Sequence, residues 1–210
     1  MLSKPPASRP DIPSNRRGFG VTLLTKTRNP ARAARAFYLS PADAPHTFLS
    51  GAAADSLAEN LGEELVDPSY FFTESRWREH RRGLGLPEEP VPFPGDRDEV
   101  DPPLDLMPTG TVGAVALDTN GCIAAVTSTG GRTNKLVGRI GDTPHMGAGF
   151  WAEEWKIKGW LRRKWRMLTR QPVTRSVGIS GTGDGDVSKI CRSVTIRWST
   201  DLMTLVLHSV

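Results

Sequence analysis

Met107-Pro108-Thr109-Gly110-Thr111-Val112-Gly113-Ala114-Val115-Ala116-Leu117-Asp118 sets a hydroxyl-bearing Thr directly after a Gly, at the head of an apolar, strand-like run. A hidden amino terminus has this form. Thr is a weak nucleophile at its own pKa and becomes a useful one when an α-amino group beside the hydroxyl serves as its base. Scission between Gly110 and Thr111 supplies that amine, which titrates near ~8 and is partly neutral at cellular pH. In isolation the Gly-Thr pair is also compatible with a plain turn entering a strand.

The sequence downstream decides between these readings. Thr127-Ser128-Thr129-Gly130-Gly131, Gly138-Arg139-Ile140-Gly141-Asp142-Thr143-Pro144, Gly147-Ala148-Gly149 and Ser180-Gly181-Thr182-Gly183-Asp184-Gly185-Asp186 follow in order. With these motifs the chain resembles the plant-type L-asparaginase and isoaspartyl peptidase family, which are threonine-type N-terminal nucleophile hydrolases. The resemblance runs from about Gly20 to Asp186.

The resemblance implies a reaction and roles for particular residues. Thr111 is the nucleophile and Thr129, in the TSTGG stretch, holds it. Arg139 and Asp142 match the substrate clamp: a guanidinium grips an α-carboxylate with paired hydrogen bonds while a carboxylate holds the α-ammonium. Thr182 and Gly183 match the contacts to substrate and to the developing oxyanion. The implied activity is hydrolysis of the asparagine side-chain amide or of β-aspartyl peptides, after self-cleavage between Gly110 and Thr111. The implied partners are a small-molecule or β-aspartyl peptide substrate and, in a complete protein, a second copy in a homodimer of processed heterodimers. No cofactor is expected. The family's alkali-cation loop is not found in this sequence, nor is its opening Ile-His-Gly-Gly-Ala-Gly-like strand, and Val187 to Val210 matches none of the family's further strands. The chain therefore reads as truncated at both ends.

The other readings of the residues are bland. Without the resemblance, Thr129 is a turn hydroxyl over Gly130-Gly131, and Arg139 with Asp142 is an exposed ion pair worth under ~1 kcal/mol. Gly183 and Gly185 lack the Lys-Ser or Lys-Thr ending of a phosphate loop. Asp184 and Asp186 lack the remaining ligands of a calcium loop. His46, His80, His145 and His208 are solitary, so no metal site is expected. Asn134-Lys135 is given a structural role.

At 210 residues the chain fits one domain. Two cysteines, Cys122 and Cys191, make no disulfide framework. No apolar run approaches the ~20 residues of a membrane span, and the amino end lacks the apolar block of a secretory signal. A cytoplasmic protein without nucleic-acid or membrane partners is the expectation. The net charge of +4 is concentrated: Trp151 to Arg175 holds eight Lys or Arg against Glu153 and Glu154, and the remainder is net negative. Within it Trp151, Trp155, Trp160 and Trp165 interleave with cations, the pattern of a basic amphipathic helix or of a solvated insertion over 156–175.

Along the chain, residues 1–19 are expected to be a disordered lead, rich in Pro and Arg. Residues 20–82 belong to the α-subunit that the resemblance implies, with a strand at Val21–Thr25, a helix capped by Asn29 and Pro30, a strand at His46–Leu49, a helix over Ala52–Leu61 and a helix capped by Thr73. Residues 83–110 are expected to be a disordered acidic, Pro-rich linker ending at the cut, since such a composition buries too little apolar surface to order itself. Residues 111–186 form the β-subunit core: Val112–Leu117 and Cys122–Thr127 make a hairpin, and Ser176–Ser180 is a further strand. Residues 187–210 are a tail outside the family pattern, with strands at Ser193–Trp198 and Leu202–Leu207. The sequence pattern supports an α+β domain. The resemblance sharpens it to an αββα four-layer sandwich of the N-terminal nucleophile hydrolase type, here incomplete. Two alternatives stay open: a catalytically inactive truncated homologue, and a lipid- or nucleic-acid-binding module centred on the basic segment.

Overall fold

Helix α1, Pro30–Leu39, starts where a capping pair dictates: the Asn29 side chain accepts from the Arg32 N–H and Pro30 fills the first turn. The computed structural model describes residues 2–3, 12–13, 15–87, 110–118, 122–169, 174–180 and 206–207. Strand β1 is Leu2–Ser3, β2 Gly18–Thr22, β3 Phe48–Ser50, β4 Val112–Leu117, β5 Ile123–Ser128, β6 Trp151–Lys156, β7 Thr174–Ser180 and β8 Val206–Leu207. Helix α2 is Gly51–Asn60, α3 Glu74–Gly83 and α4 Trp160–Leu168, with a 3-10 turn at Pro68–Phe71. Thr73 caps α3 through its hydroxyl and the Arg76 N–H, as its sequence position anticipates. The chain is α+β.

Two sheets form, in the orders β3-β2-β1-β5-β4 and β6-β7-β8. The β4–β5 hairpin runs in register from Val112↔Ser128 to Leu117↔Ile123, and Asp118 closes it by exchanging hydrogen bonds with Cys122. Each sheet also contains a parallel pair, β2 with β3 and β7 with β8. The four-layer sandwich that the resemblance implies is built of two antiparallel sheets, and these parallel pairs depart from it. For β2 and β3 the crossover through α1 is the reason, because parallel neighbours require an intervening element such as a helix.

Side-chain alternation fixes the layers. Ile123, Ala125 and Thr127 are the buried face of β5. That face meets the second sheet, since a side chain at Gly178 of β7 would collide with Val115 and Ile123. On the opposite face, Val126 is in register with Leu2 and Leu2 with Phe19, whose ring packs 5.2 Å from Phe37 of α1. The order is helix, sheet, sheet. A fourth, helical layer is not seen among the described residues, and α4 buries none of its side chains.

The expected disordered lead over 1–19 is corrected near its end. Ile12, Arg16 and Phe19 are buried, and Gly18 and Phe19 belong to β2. Arg16 explains the ordering: its guanidinium donates to the carbonyls of Phe37 at 2.7 Å and Tyr38 at 3.0 Å, and to that of His46 at 3.3 Å. The first two lie in the last turn of α1, where a cation suits the dipole and joins the Ser40 N–H in satisfying the Phe37 carbonyl. Sparse apolar composition concealed this, because a charged side chain joins only two buried apolar ones, Ile12 and Phe19, in anchoring the segment. The proposed span of Trp residues is corrected as well. Trp151 and Trp155 lie in β6, and the helix begins only at Trp160.

Apart from residues 83–87 and 110, the 83–110 linker lies outside the described residues, as do Thr182, Gly183 and the Ser193–Trp198 strand. Of the 187–210 tail only Val206–Leu207 is described, and it pairs with Ile179 and Ser180.

Candidate active site

Gly110 and Thr111 sit at the entry to β4. Gly110 holds φ +123°, a conformation that disfavours any residue with a Cβ, while the Thr111 side chain is half-buried. Because β4 pairs with β5, Thr111 is brought beside the end of β5, where the chain leaves the sheet through Ser128, Thr129, Gly130 and Gly131. The next loop returns Arg139 to Pro144 to the same place.

These segments enclose a cavity of about 380 Å³, within the size range of small-ligand sites. Gly110, Thr111, Thr129, Arg139 and Asp142 all line it. Every site residue anticipated from the sequence that the structure describes thus borders one space. Thr182 and Gly183 are outside the described residues.

Two local arrangements hold the loop. The Thr129 Oγ1 accepts from the Gly131 N–H at 3.1 Å, the turn bond expected of a hydroxyl ahead of two glycines. This leaves its own hydrogen available to donate. Lys135 Nζ donates to the Gly130 carbonyl at 2.6 Å, so the side chain given a structural role from sequence also reaches the cavity wall. Asp142 is buried, and its carbonyl accepts from the His145 N–H at 2.9 Å. Among the described residues, three cations, Arg132, Lys135 and Arg139, border the cavity against the one carboxylate of Asp142. The lining favours an anionic ligand.

A second layer links this loop to α3. Thr133 Oγ1 donates to Glu79 Oε1 at 2.8 Å, Asn134 Nδ2 donates to the His80 carbonyl at 3.1 Å, and Asn134 Oδ1 meets His80 Nδ1. Glu79 is in turn paired with Arg76 at 2.6 Å, and the Thr133 and Arg76 contacts hold its carboxyl below the usual glutamate range. Asn134 adopts φ +56°, which Asn tolerates better than most residues. Asn134→Ala is expected to free the loop, so that trypsin cuts after Arg132 and Lys135 several-fold faster than in the wild-type chain. An unchanged rate of fragment appearance would mean that α3 does not hold the loop.

A family model described as Asparaginase matches residues 14–156, well over half of the chain. The chain belongs to the asparaginase family. Among curated relatives, it is 38% identical over 168 residues to the isoaspartyl peptidase of Escherichia coli (strain K12), which covers 80% of this chain and 43% of that protein. It is 40% identical over 133 residues to the isoaspartyl peptidase/L-asparaginase of Mus musculus, covering 63% of this chain and 36% of the mouse protein. The chain spans less than half the length of these relatives.

Three residues of this asparaginase-family site were not legible beforehand. Leu23 lines the cavity at φ +56°, a strained backbone for a non-glycine residue. Thr143 lines it too, with a buried Oγ1 that has no hydrogen-bond partner among the described residues. The third, Asp55, lies behind the wall. It is buried and accepts from the N–H groups of Thr25 at 3.0 Å, Lys26 at 3.4 Å and Thr27 at 2.9 Å, and from the hydroxyls of Thr25 at 3.2 Å and Thr27 at 2.6 Å. Burial alone would raise its pKa, but these hydrogen bonds, those from Thr27 foremost, bring it below the ordinary aspartate value. The strand-to-helix segment that carries Leu23 is thereby fixed from its C-terminal side. No sequence signal marks an Asp within an Ala-rich helix for such a role.

Proposed function

We propose that this chain carries the reaction centre of a threonine-type hydrolase acting on the side-chain amide of L-asparagine or on β-aspartyl peptides. The observation that supports this is the convergence of Gly110, Thr111, Thr129, Arg139 and Asp142 on one cavity. Before cleavage, Thr111 Oγ1 attacks the Gly110 carbonyl carbon, the amide bond shifts to an ester, and water opens the ester. The amine released at Thr111 then takes the proton from its own hydroxyl as that oxygen attacks the substrate carbonyl, and passes it to the departing ammonia or amine. Water hydrolyses the acyl-enzyme and frees aspartate.

Arg139 holds the substrate α-carboxylate, Asp142 the α-ammonium, Thr129 the nucleophile, and Thr182 with Gly183 the oxyanion. Residues 20–82 contribute to the α-subunit and 111–186 to the β-subunit core of an αββα sandwich, whose outer helices would cover the second sheet. The excess of cations in the lining suits β-aspartyl peptides, which bring a second carboxylate.

The test is release of aspartate from asparagine and from a β-aspartyl dipeptide, with an α-aspartyl dipeptide as control. Arg139→Ala is expected to raise KM by about a hundredfold, as the loss of a charge-assisted bidentate bond would. Equal turnover of the α- and β-linked peptides would overturn the reading. One observation favours a second, non-catalytic reading: Val112 and Leu117 of β4 are 55% and 45% exposed, an apolar edge strand with uncovered faces. A processed, soluble chain that releases no aspartate from either substrate would decide for it.

A further inference from the structure

Helix α4 stands apart from the hydrolase site and from both sheets. It follows Gly159, which turns the chain at φ +100°, and none of its nine residues is buried. Trp160, Leu161, Trp165, Met167 and Leu168 are between 66% and 77% exposed. With ~100° of rotation per residue, Trp160, Leu161, Trp165 and Leu168 share one side of the helix while Arg162, Arg163 and Arg166 share the other. Lys158 adds a further cation, and Lys164 lies within the apolar side with its ammonium 4.8 Å from the Trp160 ring centre. A flexible stem lets such a lysine reach back to water. No acidic residue occurs from Ile157 to Leu168.

We propose that α4 is an interfacial anchor for a bilayer surface containing anionic lipid. Its Trp and Leu side chains would enter the headgroup boundary while the arginines meet lipid phosphates and carboxylates. Three features select this occupant. The charge is uniformly positive, so an anionic surface is its complement. Nucleic acid would satisfy the cations and stack on Trp, but would leave Leu161, Met167 and Leu168 in water. An acidic protein would have to present a groove that also clears β6 and β7, the antiparallel partners to which α4 is tethered at both ends. A planar surface meets that constraint.

The sequence expectation of no membrane partner is revised at this element alone. No described helix is long and apolar enough to cross a membrane, which bears on crossing and not on lying at the surface. The inference is independent of the hydrolase reading.

Flotation of the full chain with vesicles of phosphatidylcholine alone, and with phosphatidylserine included, tests it. The chain is expected to float only with the phosphatidylserine vesicles and to be released by high salt. Arg162→Ala/Arg166→Ala should weaken partition by about thirtyfold, given the contribution of each cation at such a surface. Trp165→Ser/Leu168→Ser should weaken it too, and since none of the four side chains is buried, both variants keep the core intact. No flotation, equal flotation with both lipids, or flotation unchanged in both variants would overturn the proposal. So would binding that duplex oligonucleotide competes away while the Trp165→Ser/Leu168→Ser chain still binds normally, which would assign α4 to nucleic acid.

Discussion

Held at neutral pH after purification, the chain is expected to resolve on a denaturing gel into two pieces that meet at the Gly110–Thr111 bond, with Thr111→Ala remaining whole. Removing the hydroxyl removes both the attacking oxygen and the ester it would form, so scission should slow by more than about a thousandfold. Thr111→Ser keeps the oxygen and should retain cleavage at a reduced rate. Gly110 at φ +123° sits in a conformation poorly suited to other residues. Gly110→Ala therefore perturbs the bond to be cut without touching the nucleophile. Mass spectrometry of the fragments identifies the bond. A wild-type chain still whole after prolonged incubation would end the self-processing claim while leaving family membership untouched.

The second large effect concerns Asp55. Replacing it with Ala strips the acceptor from three backbone N–H groups and two hydroxyls at residues 25–27. The hydroxyls can turn elsewhere and the Thr25 amide, on an exposed residue, can reach water, but the amide of buried Thr27 cannot, and an unsatisfied buried donor is costly. A loss of about 3 kcal/mol or more is expected in urea unfolding. Asp55→Asn should recover only part of it, since an amide presents its own N–H where donors already point. The pH dependence follows from the lowered pKa. Stability from the Asp55 carboxylate is fully present above the unfolded aspartate value of ~3.9 and is lost as pH falls through the lower folded value. Wild type should therefore lose more stability on acidification than Asp55→Asn. A cost below about 1 kcal/mol for Asp55→Ala would show that water replaces the carboxylate.

These two residues mark what could and could not be read from the chain. Thr111, Thr129, Arg139 and Asp142 are spread over three segments, yet their order and their glycine neighbours carry a recognisable pattern, and all four line the cavity. The start of α1 was equally legible, because Asn29-Pro30 states a capping geometry in adjacent residues. Asp55 was not, since its meaning depends on three residues about 30 positions earlier. Leu23 was hidden for another reason: the sign of a backbone angle in a non-glycine residue leaves no trace in composition. The end of the 1–19 lead was misread because Arg16 binds three carbonyls there, beside just two buried apolar side chains. In the fold, two apolar runs joined through Asn120-Gly121 identified the β4–β5 hairpin, but the parallel β2–β3 pairing is set by tertiary contact.

The strand order has a consequence for the molecularity of unfolding. β3, β2 and β1 precede the Gly110–Thr111 bond and β5 and β4 follow it, so the two segments meet along the β1–β5 seam. The hydrogen bonds from Thr133 and Asn134 to α3 span the same division. Scission there would convert a single polymer into a non-covalent pair held by its own sheet. For a monomeric intact chain unfolding would be independent of concentration, whereas the cut form would melt at lower temperature on dilution, as any two-piece assembly does. It would also regain its fold at a rate that depends on how often the two pieces collide.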